Sequence, residues 1–385
     1  MPEAARTLAT MPAEGPAVAG KRITYFVHDI GDAAVTKRVL MLGAAGAEVL
    51  VIGFNRGHGA PRRIAGAEVI DLGRTHDGKL LHRAAAVLRE QLVPGRILEA
   101  AKGADILIGR NLEAFALACR AHRANPSATL VYECLDLHRL LLESNMAGSL
   151  LQRLEAALLA KADHIMVSSP AFIREYFARH DLTARLHLVE NKVLALDPLE
   201  AASRPAPGPP WTIGWFGMLR CARSFAILAD AAAEMEGRLR VLIAGRPTPF
   251  VFADLPALAR NAPWVDYIGP YQPADLGALY GRCHFAWCLD YFEEELNSDW
   301  LLPNRLYESL RYGCVPIALS SVEAGRWLGA RSAGAVLDSP GQLRPMLEAL
   351  DARRYAELRD KARQVPQAAV IADAQDCRLL LEAIG

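Results

Sequence analysis

Short β-rich runs alternate with Ala/Leu-rich helical stretches in two separate series along this chain. Between them lies a segment that can continue neither helix nor sheet, Asp197-Pro198 followed by Arg204-Pro205-Ala206-Pro207-Gly208-Pro209-Pro210. The first series places strands at 22–27, 48–54, 68–72, 105–109, 129–133 and 164–168, with a helix over 33–45 after the first. The second restarts with strands at 212–217, 239–245, 265–269, 284–289 and 315–319 and a helix over 224–236. Strands that alternate with helices predict parallel sheets covered on both faces, so the fold class is α/β, with two Rossmann-like doubly wound domains. The predicted organisation is a disordered tail over 1–20, a domain over 21–196, a linker over 197–210 and a domain over 211–362. A C-terminal helix over 363–385 would pack back on the first domain. Two such domains facing across a cleft would offer it the carboxyl ends of their strands, where ligands of doubly wound sheets bind.

The chain has 385 residues, about the length of two domains of roughly 150 to 200 residues each. With 52% hydrophobic and 22% charged residues it can fill two cores, which excludes a disordered chain. Lys and Arg total 43, as do Asp and Glu, so no global positive field draws it onto nucleic acid. Its seven cysteines include no Cys-x-x-Cys pair, which argues against a disulfide framework and a structural zinc site. The Ala/Pro/Glu-rich start lacks the basic and apolar regions of a secretory signal, and no run of about 18 apolar residues is present. The expected location is cytoplasmic. Peripheral contact with an anionic membrane is open through residues 79–102, where His82, Arg83, Arg89, Arg96 and Lys102 interleave with Leu and Val. The plainer alternative is a surface helix pair broken at Pro94-Gly95.

Two motifs carry chemistry. In Gly214-Trp215-Phe216-Gly217-Met218-Leu219-Arg220-Cys221-Ala222-Arg223, a strand runs into a turn and a helix start. Gly217 lets backbone N–H groups approach a phosphate, the helix N-terminus adds partial positive charge, and Arg220 and Arg223 supply counter-charges. The structural alternative is an ordinary βα turn. In Pro303-Asn304-Arg305-Leu306-Tyr307-Glu308, Pro303 fits a helix start, and Gly313 ends the helix before a strand near Val315. Asn304, Arg305 and Glu308 then share the first turn and a half, so Arg305 can pair with a diphosphate while Glu308 accepts from ribose hydroxyls. The alternative is a surface ion pair between residues three apart.

These motifs resemble those of GT-B glycosyltransferases, in particular glycosyltransferase family four and related bacterial exopolysaccharide enzymes. Pro303-Asn304-Arg305-Leu306-Tyr307-Glu308 and Gly313-Cys314-Val315-Pro316-Ile317 are similar to the family's Pro-Asn-Lys-Leu-x-Glu and Gly-x-Pro-Val-Ile segments. Gly217-Met218-Leu219 with Arg223-Ser224, the strand Ala162 to Ser169, and Val189-Glu190-Asn191-Lys192-Val193 look like further family segments. The resemblance spans roughly residues 105 to 340. It implies a nucleotide-sugar donor, most simply a UDP-sugar, with Glu308 on the ribose and Arg223 and Arg305 neutralising the diphosphate without a metal; there is no Asp-x-Asp motif and no cofactor. Met218 replaces the family's first phosphate-binding Arg, and Trp300 stands where a second Glu is expected, with Glu293, Glu294, Glu295 and Asp299 upstream.

On the acceptor side the reading places a catalytic base at the end of the 129–133 strand, Asp136 with Glu133 behind it, to deprotonate a hydroxyl of a saccharide or lipid-linked acceptor. Asp136 is equally placed to cap a helix beginning near His138. His28, Asp29 and Asn111 follow predicted strands and line the acceptor side, although His28-Asp29-Ile30-Gly31-Asp32 also reads as a tight βα loop. The rival functions are a nucleotide-sugar epimerase or hydrolase on the same fold and a catalytically degenerate nucleotide-sugar-binding protein. A dinucleotide-dependent enzyme is disfavoured because the first strand does not lead into Gly-x-Gly-x-x-Gly.

Overall fold

A computed structural model describes residues 20–56, 61–75, 80–143, 145–196 and 204–385. The predicted tail over 1–19, Lys79 at the start of the basic segment, and linker residues 197–203 lie outside them. The chain divides into two compact units, residues 1–190 with 372–385, and residues 191–371. The first division falls six residues ahead of the expected one because β9 (Val193–Leu194) pairs with β16 (Ile371–Ala372), Val193 donating to the Val370 carbonyl.

Among its described residues unit 1 has eight strands: β1 (Arg22–Val27), β2 (Glu48–Asn55), β3 (Arg63–Ile64), β4 (Ala67–Arg74), β5 (Ile106–Arg110), β6 (Thr129–Cys134), β7 (His164–Val167) and β8 (Arg185–Leu188). Their order is β3-β4-β2-β1-β5-β6-β7-β8, and all neighbours are parallel except β3 and β4. Its helices are α1 (Ala33–Ala44), α2 (Leu80–Leu92), α3 (Gly95–Ala101), α4 (Asn111–His122), α5 (Arg139–Leu142), α6 (Met146–Leu159) and, from the chain's end, α15 (Ala374–Ile384). The basic segment thus forms the broken helix pair, α2 and α3. On β1, residues 23 to 27 are all buried, as expected of a strand covered on both faces.

Unit 2 carries β10 (Trp211–Leu219), β11 (Leu239–Pro247), β12 (Val265–Tyr267), β13 (Phe285–Trp287), β14 (Val315–Leu319) and β15 (Ala335–Leu337) in the all-parallel order β12-β11-β10-β13-β14-β15. Its helices are α7 (Ala222–Glu234), α8 (Leu255–Asn261), α9 (Leu276–Tyr280), α10 (Asn297–Trp300), α11 (Asn304–Arg311), α12 (Glu323–Gly329), α13 (Leu343–Glu348) and α14 (Ala352–Arg363). Strand parity sorts the core into two layers. Ile213, Trp215, Val241, Ile243, Trp287 and Ile317 pack with α7, α8, α13 and Tyr355 of α14. Phe216, Leu242, Ala244, Ala286 and Ala318 pack on the other face against α9, α11 and α12. The sheet is doubly wound, which puts the carboxyl ends of β10, β13 and β14 and the start of α11 around one opening.

Candidate active site

At those strand ends unit 2 has a cavity of about 560 Å³ lined by Gly217, Arg220, Asn304, Arg305 and Glu308, with Tyr271 and Asp290 beside them. The last residues of β10 shape its wall. Gly217 has φ 110°, a value side-chain-bearing residues rarely adopt, and a Cβ there would meet nothing within 4 Å. Its register partner Gly245 is packed so closely that a Cβ would stand 1.8 Å from the Gly217 carbonyl oxygen.

The first turn of α11 projects the charged groups. Arg305 donates long bonds to the carbonyls of Phe216 (3.4 Å) and Leu289 (3.5 Å), which aims its guanidinium across the strand ends. The Tyr280 hydroxyl donates to Glu308 Oε2 at 2.9 Å. Burial and the Glu308 carboxylate push that hydroxyl up, so it stays protonated and donating. Arg305 and Glu308 therefore address different partners, in place of the surface ion pair that three-residue spacing allows. Arg220 Nε is 2.9 Å from Asp290 Oδ2. Arg223 is on the first turn of α7, is not a lining residue, and donates through Nη1 to both Glu294 oxygens, at 2.6 Å to Oε1 and 2.5 Å to Oε2.

Unit 1 has its own cavity, of about 750 Å³, at the ends of β1, β5 and β6, and His28, Asn111 and Asp136 line it together with Arg56, Arg83 and His138. Nδ1 of His28 is buried without a hydrogen-bond partner. Burial, then the nearby Arg56, Arg110 and Arg83, hold the imidazole well below the usual histidine range, so it is neutral near pH 7 with an available acceptor atom. Asn111 starts α4 at φ 60°, a left-handed conformation that asparagine tolerates. Its Oδ1 accepts from Leu135 N–H at 3.3 Å and ties the end of β5 to the loop carrying Asp136. Asp136 is exposed on that loop. The cap of α5 is His138, whose Nδ1 accepts from Leu140 N–H at 3.2 Å, so the capping alternative for Asp136 is set aside.

Two expectations change. Glu133 is fully buried, accepting from Arg38 Nε at 2.7 Å and from the Tyr25 hydroxyl, with Arg110 Nη1 3.5 Å away. Burial alone would raise its pKa, but the Arg38 and Arg110 charges and the Tyr25 and Arg38 hydrogen bonds outweigh it and hold the carboxyl below the ordinary range. Glu133 is a structural anion of the core and is not presented to an acceptor. Asp29 is outside the cavity lining; its Oδ1 accepts from Gly31 N–H at 3.0 Å and shapes the loop, the tight-turn reading of this segment.

Residues 34–192 match the family described as Glycosyl transferase 4-like domain. The succinoglycan biosynthesis protein ExoL of Rhizobium meliloti (strain 1021) is 41% identical over 375 residues, covering 94% of this chain and 93% of ExoL. The chain belongs to the glycosyl transferase 4-like family. This glycosyltransferase has the GT-B fold, shared with Anabaena Alr3699/HepE, solved with UDP and glucose (TM-score 0.68, 14% identity, 94% of this chain and 98% of that one). The lipopolysaccharide outer core galactosyltransferase WaaB, solved in its apo form, is similar at TM-score 0.58 and 15% identity over 91% of this chain and 94% of WaaB.

Sequence reasoning missed several contacts at and beside the transferase's unit 2 cavity. Tyr280 is 28 residues from Glu308, and nothing local signals their bond. Asp290 and Glu294 lie in an acid–aromatic run, Asp290-Tyr291-Phe292-Glu293-Glu294-Glu295, whose composition was visible although its pairing with Arg220 and Arg223 was not.

Proposed function

We propose that this glycosyltransferase moves a sugar from a UDP-sugar, held in the unit 2 cavity, to a hydroxyl of a saccharide or lipid-linked acceptor in exopolysaccharide or cell-surface glycan synthesis. The observation that carries the reading is the convergence of the β10–α7 turn and the first turn of α11 on one opening, with Arg220 and Arg305 lining it beside Glu308 and Arg223 next to it. Guanidiniums match the oxygens of a diphosphate, and together they stabilise a departing UDP as a metal ion would, so the reading is metal-independent. In this reading Glu308 accepts from the ribose hydroxyls, and His28 and Asp136, which line the unit 1 cavity, receive the acceptor's proton. The similarity to ExoL, a succinoglycan biosynthesis protein, and to HepE, solved with UDP, supports the pathway class and the donor.

Incubation with UDP-sugars labelled in the sugar, with membranes of the producing cell as the acceptor source, tests the reading. Label should move into the saccharide or lipid-saccharide fraction only when membranes are present. Release of free or epimerised sugar at the same rate without membranes would favour a hydrolase or epimerase instead.

The same reading places the enzyme peripherally on the cytoplasmic face of the plasma membrane, where UDP-sugars and lipid-linked acceptors meet. Among the described residues no helix is long and apolar enough to cross a membrane. Contact through 79–102 is supported by Leu88, Leu92 (73% exposed) and Val93 at the end of α2. It extends to α6, where Met146 (91%), Leu150 (70%) and Leu154 recur every four residues on one exposed face. Leu88 and Leu154 line one cavity, so the two apolar stripes adjoin, with the exposed Arg89, Arg153 and Lys161 on the same helices or just after them. The full chain should co-sediment with phosphatidylglycerol vesicles and not with phosphatidylcholine vesicles, and Leu150→Glu should release it. Failure of the unaltered chain to sediment with either vesicle would remove the membrane contact.

A further inference from the structure

The two arginines of the β10–α7 turn are already engaged by one loop, the residues after β13. Asp290 pairs with Arg220 Nε at 2.9 Å, and its other oxygen accepts from Phe292 N–H at 2.9 Å, which fixes the carboxylate. Glu294 offers both of its oxygens to Arg223 Nη1, the first at 2.6 Å. Between them the loop stacks rings on the same cations: the Arg223 guanidinium carbon is 4.3 Å from the Tyr291 ring centre and that of Arg220 is 5.2 Å from Phe292. The loop thus gives each arginine one carboxylate and one ring.

A carboxylate and a phosphate edge present the same pair of oxygens to a guanidinium fork, so one can replace the other on the same donors. The cavity's charge makes that replacement consequential. Asp290, Glu294, Glu295, Asp299 and Glu308 line it against Arg220 and Arg305. A diphosphate entering with these pairs intact meets a surplus of negative charge, and gains attraction only by taking an arginine from its carboxylate. Arg223 with Glu294 is the pair better placed to open, because both side chains are about half exposed (50% and 46%), whereas Arg220 and Asp290 are 28% and 16% exposed. Exposed pairs of this kind are weak, and such a pair exchanges partners readily.

We propose that Glu294 is an internal competitor of the donor, a carboxylate that occupies Arg223 in the free enzyme and that the diphosphate displaces, so that it sets donor affinity. The inference rests on the reading of the unit 2 cavity as a UDP site. The ring of Tyr291 stays on Arg223 through the exchange and keeps the guanidinium in place while its anion changes.

The test is calorimetric titration of the full chain and of Glu294→Gln with UDP and with uridine, which has no phosphate. Glu294→Gln should tighten UDP by about fivefold, the upper range for loss of an exposed competing pair, and leave uridine unchanged. Glu295→Gln, a change of the same charge in the same cavity, should have a clearly smaller effect. If Glu294→Gln weakens UDP or leaves it unchanged, the carboxylate positions Arg223 and does not compete, and the proposal fails. Equal tightening by both variants, or equal tightening of uridine, would reduce the effect to general repulsion and also overturn it. Failure of the unaltered chain to bind UDP would sink the donor-site reading itself, a result distinct from the others.

Discussion

Glu308→Ala is expected to weaken UDP binding by about 10- to 100-fold, the loss of 1.5–3 kcal/mol that follows from removing hydrogen bonds to a charged group. The carboxylate is held half-buried on the second turn of α11 by Tyr280 Oη, so its orientation is set before any ligand arrives. A nucleoside has the same ribose as UDP, and uridine and UDP should therefore lose affinity by the same factor. Arg305→Ala should behave differently, weakening UDP by a similar factor and leaving uridine alone, because a guanidinium at the strand ends addresses phosphate. The contrast between the two ligands separates the two roles in a single series of titrations. Because alanine at 308 also leaves the buried Tyr280 hydroxyl without this acceptor, thermal unfolding of the variant belongs beside the titration; a modest fall in Tm with affinity intact would make Glu308 structural.

The second large effect is expected in unit 1. His28→Ala should lower kcat by about 10²- to 10⁴-fold, the range for losing a positioned proton acceptor, with UDP affinity unchanged. Asp136→Asn tests the neighbouring acidic group in the same assay: a comparable loss makes the two act together, and normal turnover removes Asp136 from proton transfer. The pH profile distinguishes a chemical role for His28 from a packing role. Its folded pKa lies well below 6.5, so the imidazole is neutral and competent throughout the range above 6.5, and the acid limb of the rate should fall below that value. The sign for stability follows from the same shift. The unfolded chain takes up this proton near pH 6.5 and the folded chain does not, so the contribution of His28 to stability is lost as pH falls below 6.5 toward the folded value. An acid limb unchanged in His28→Gln would contradict the proton-acceptor role.

Much of the architecture could be read in advance because parallel strands buried on both faces appear as unbroken apolar runs. β1 and β14 run over the predicted residues, and Pro303 and Gly313 bracket α11 as helix start and stop signals do. What escaped depends on partners far along the chain. Glu133 looked like a cleft carboxylate because it ends a strand, but Arg38 lies 95 residues before it and Arg110 reaches it across the neighbouring strand, so only the folded chain reveals a core anion. Arg223 and Glu294 are separated by 71 residues, and neither side chain signals its pairing. His28 was readable as a strand-end histidine, whereas its neutral state arises from burial and three arginines brought there by other elements. The division of the chain at 190 also differs from composition, since the Pro-rich stretch marks where secondary structure stops and the backbone pairing of Val193 lies before it.

The central claim, that the unit 2 cavity is a UDP site working through arginines without a metal, is tested most directly by titrating UDP into the full chain in the presence of EDTA. Saturable one-to-one binding, unaffected by added Mg²⁺ and absent or strongly weakened in Arg305→Ala, is the predicted result. Binding that appears only when a divalent cation is restored, or that survives Arg305→Ala undiminished, would contradict it.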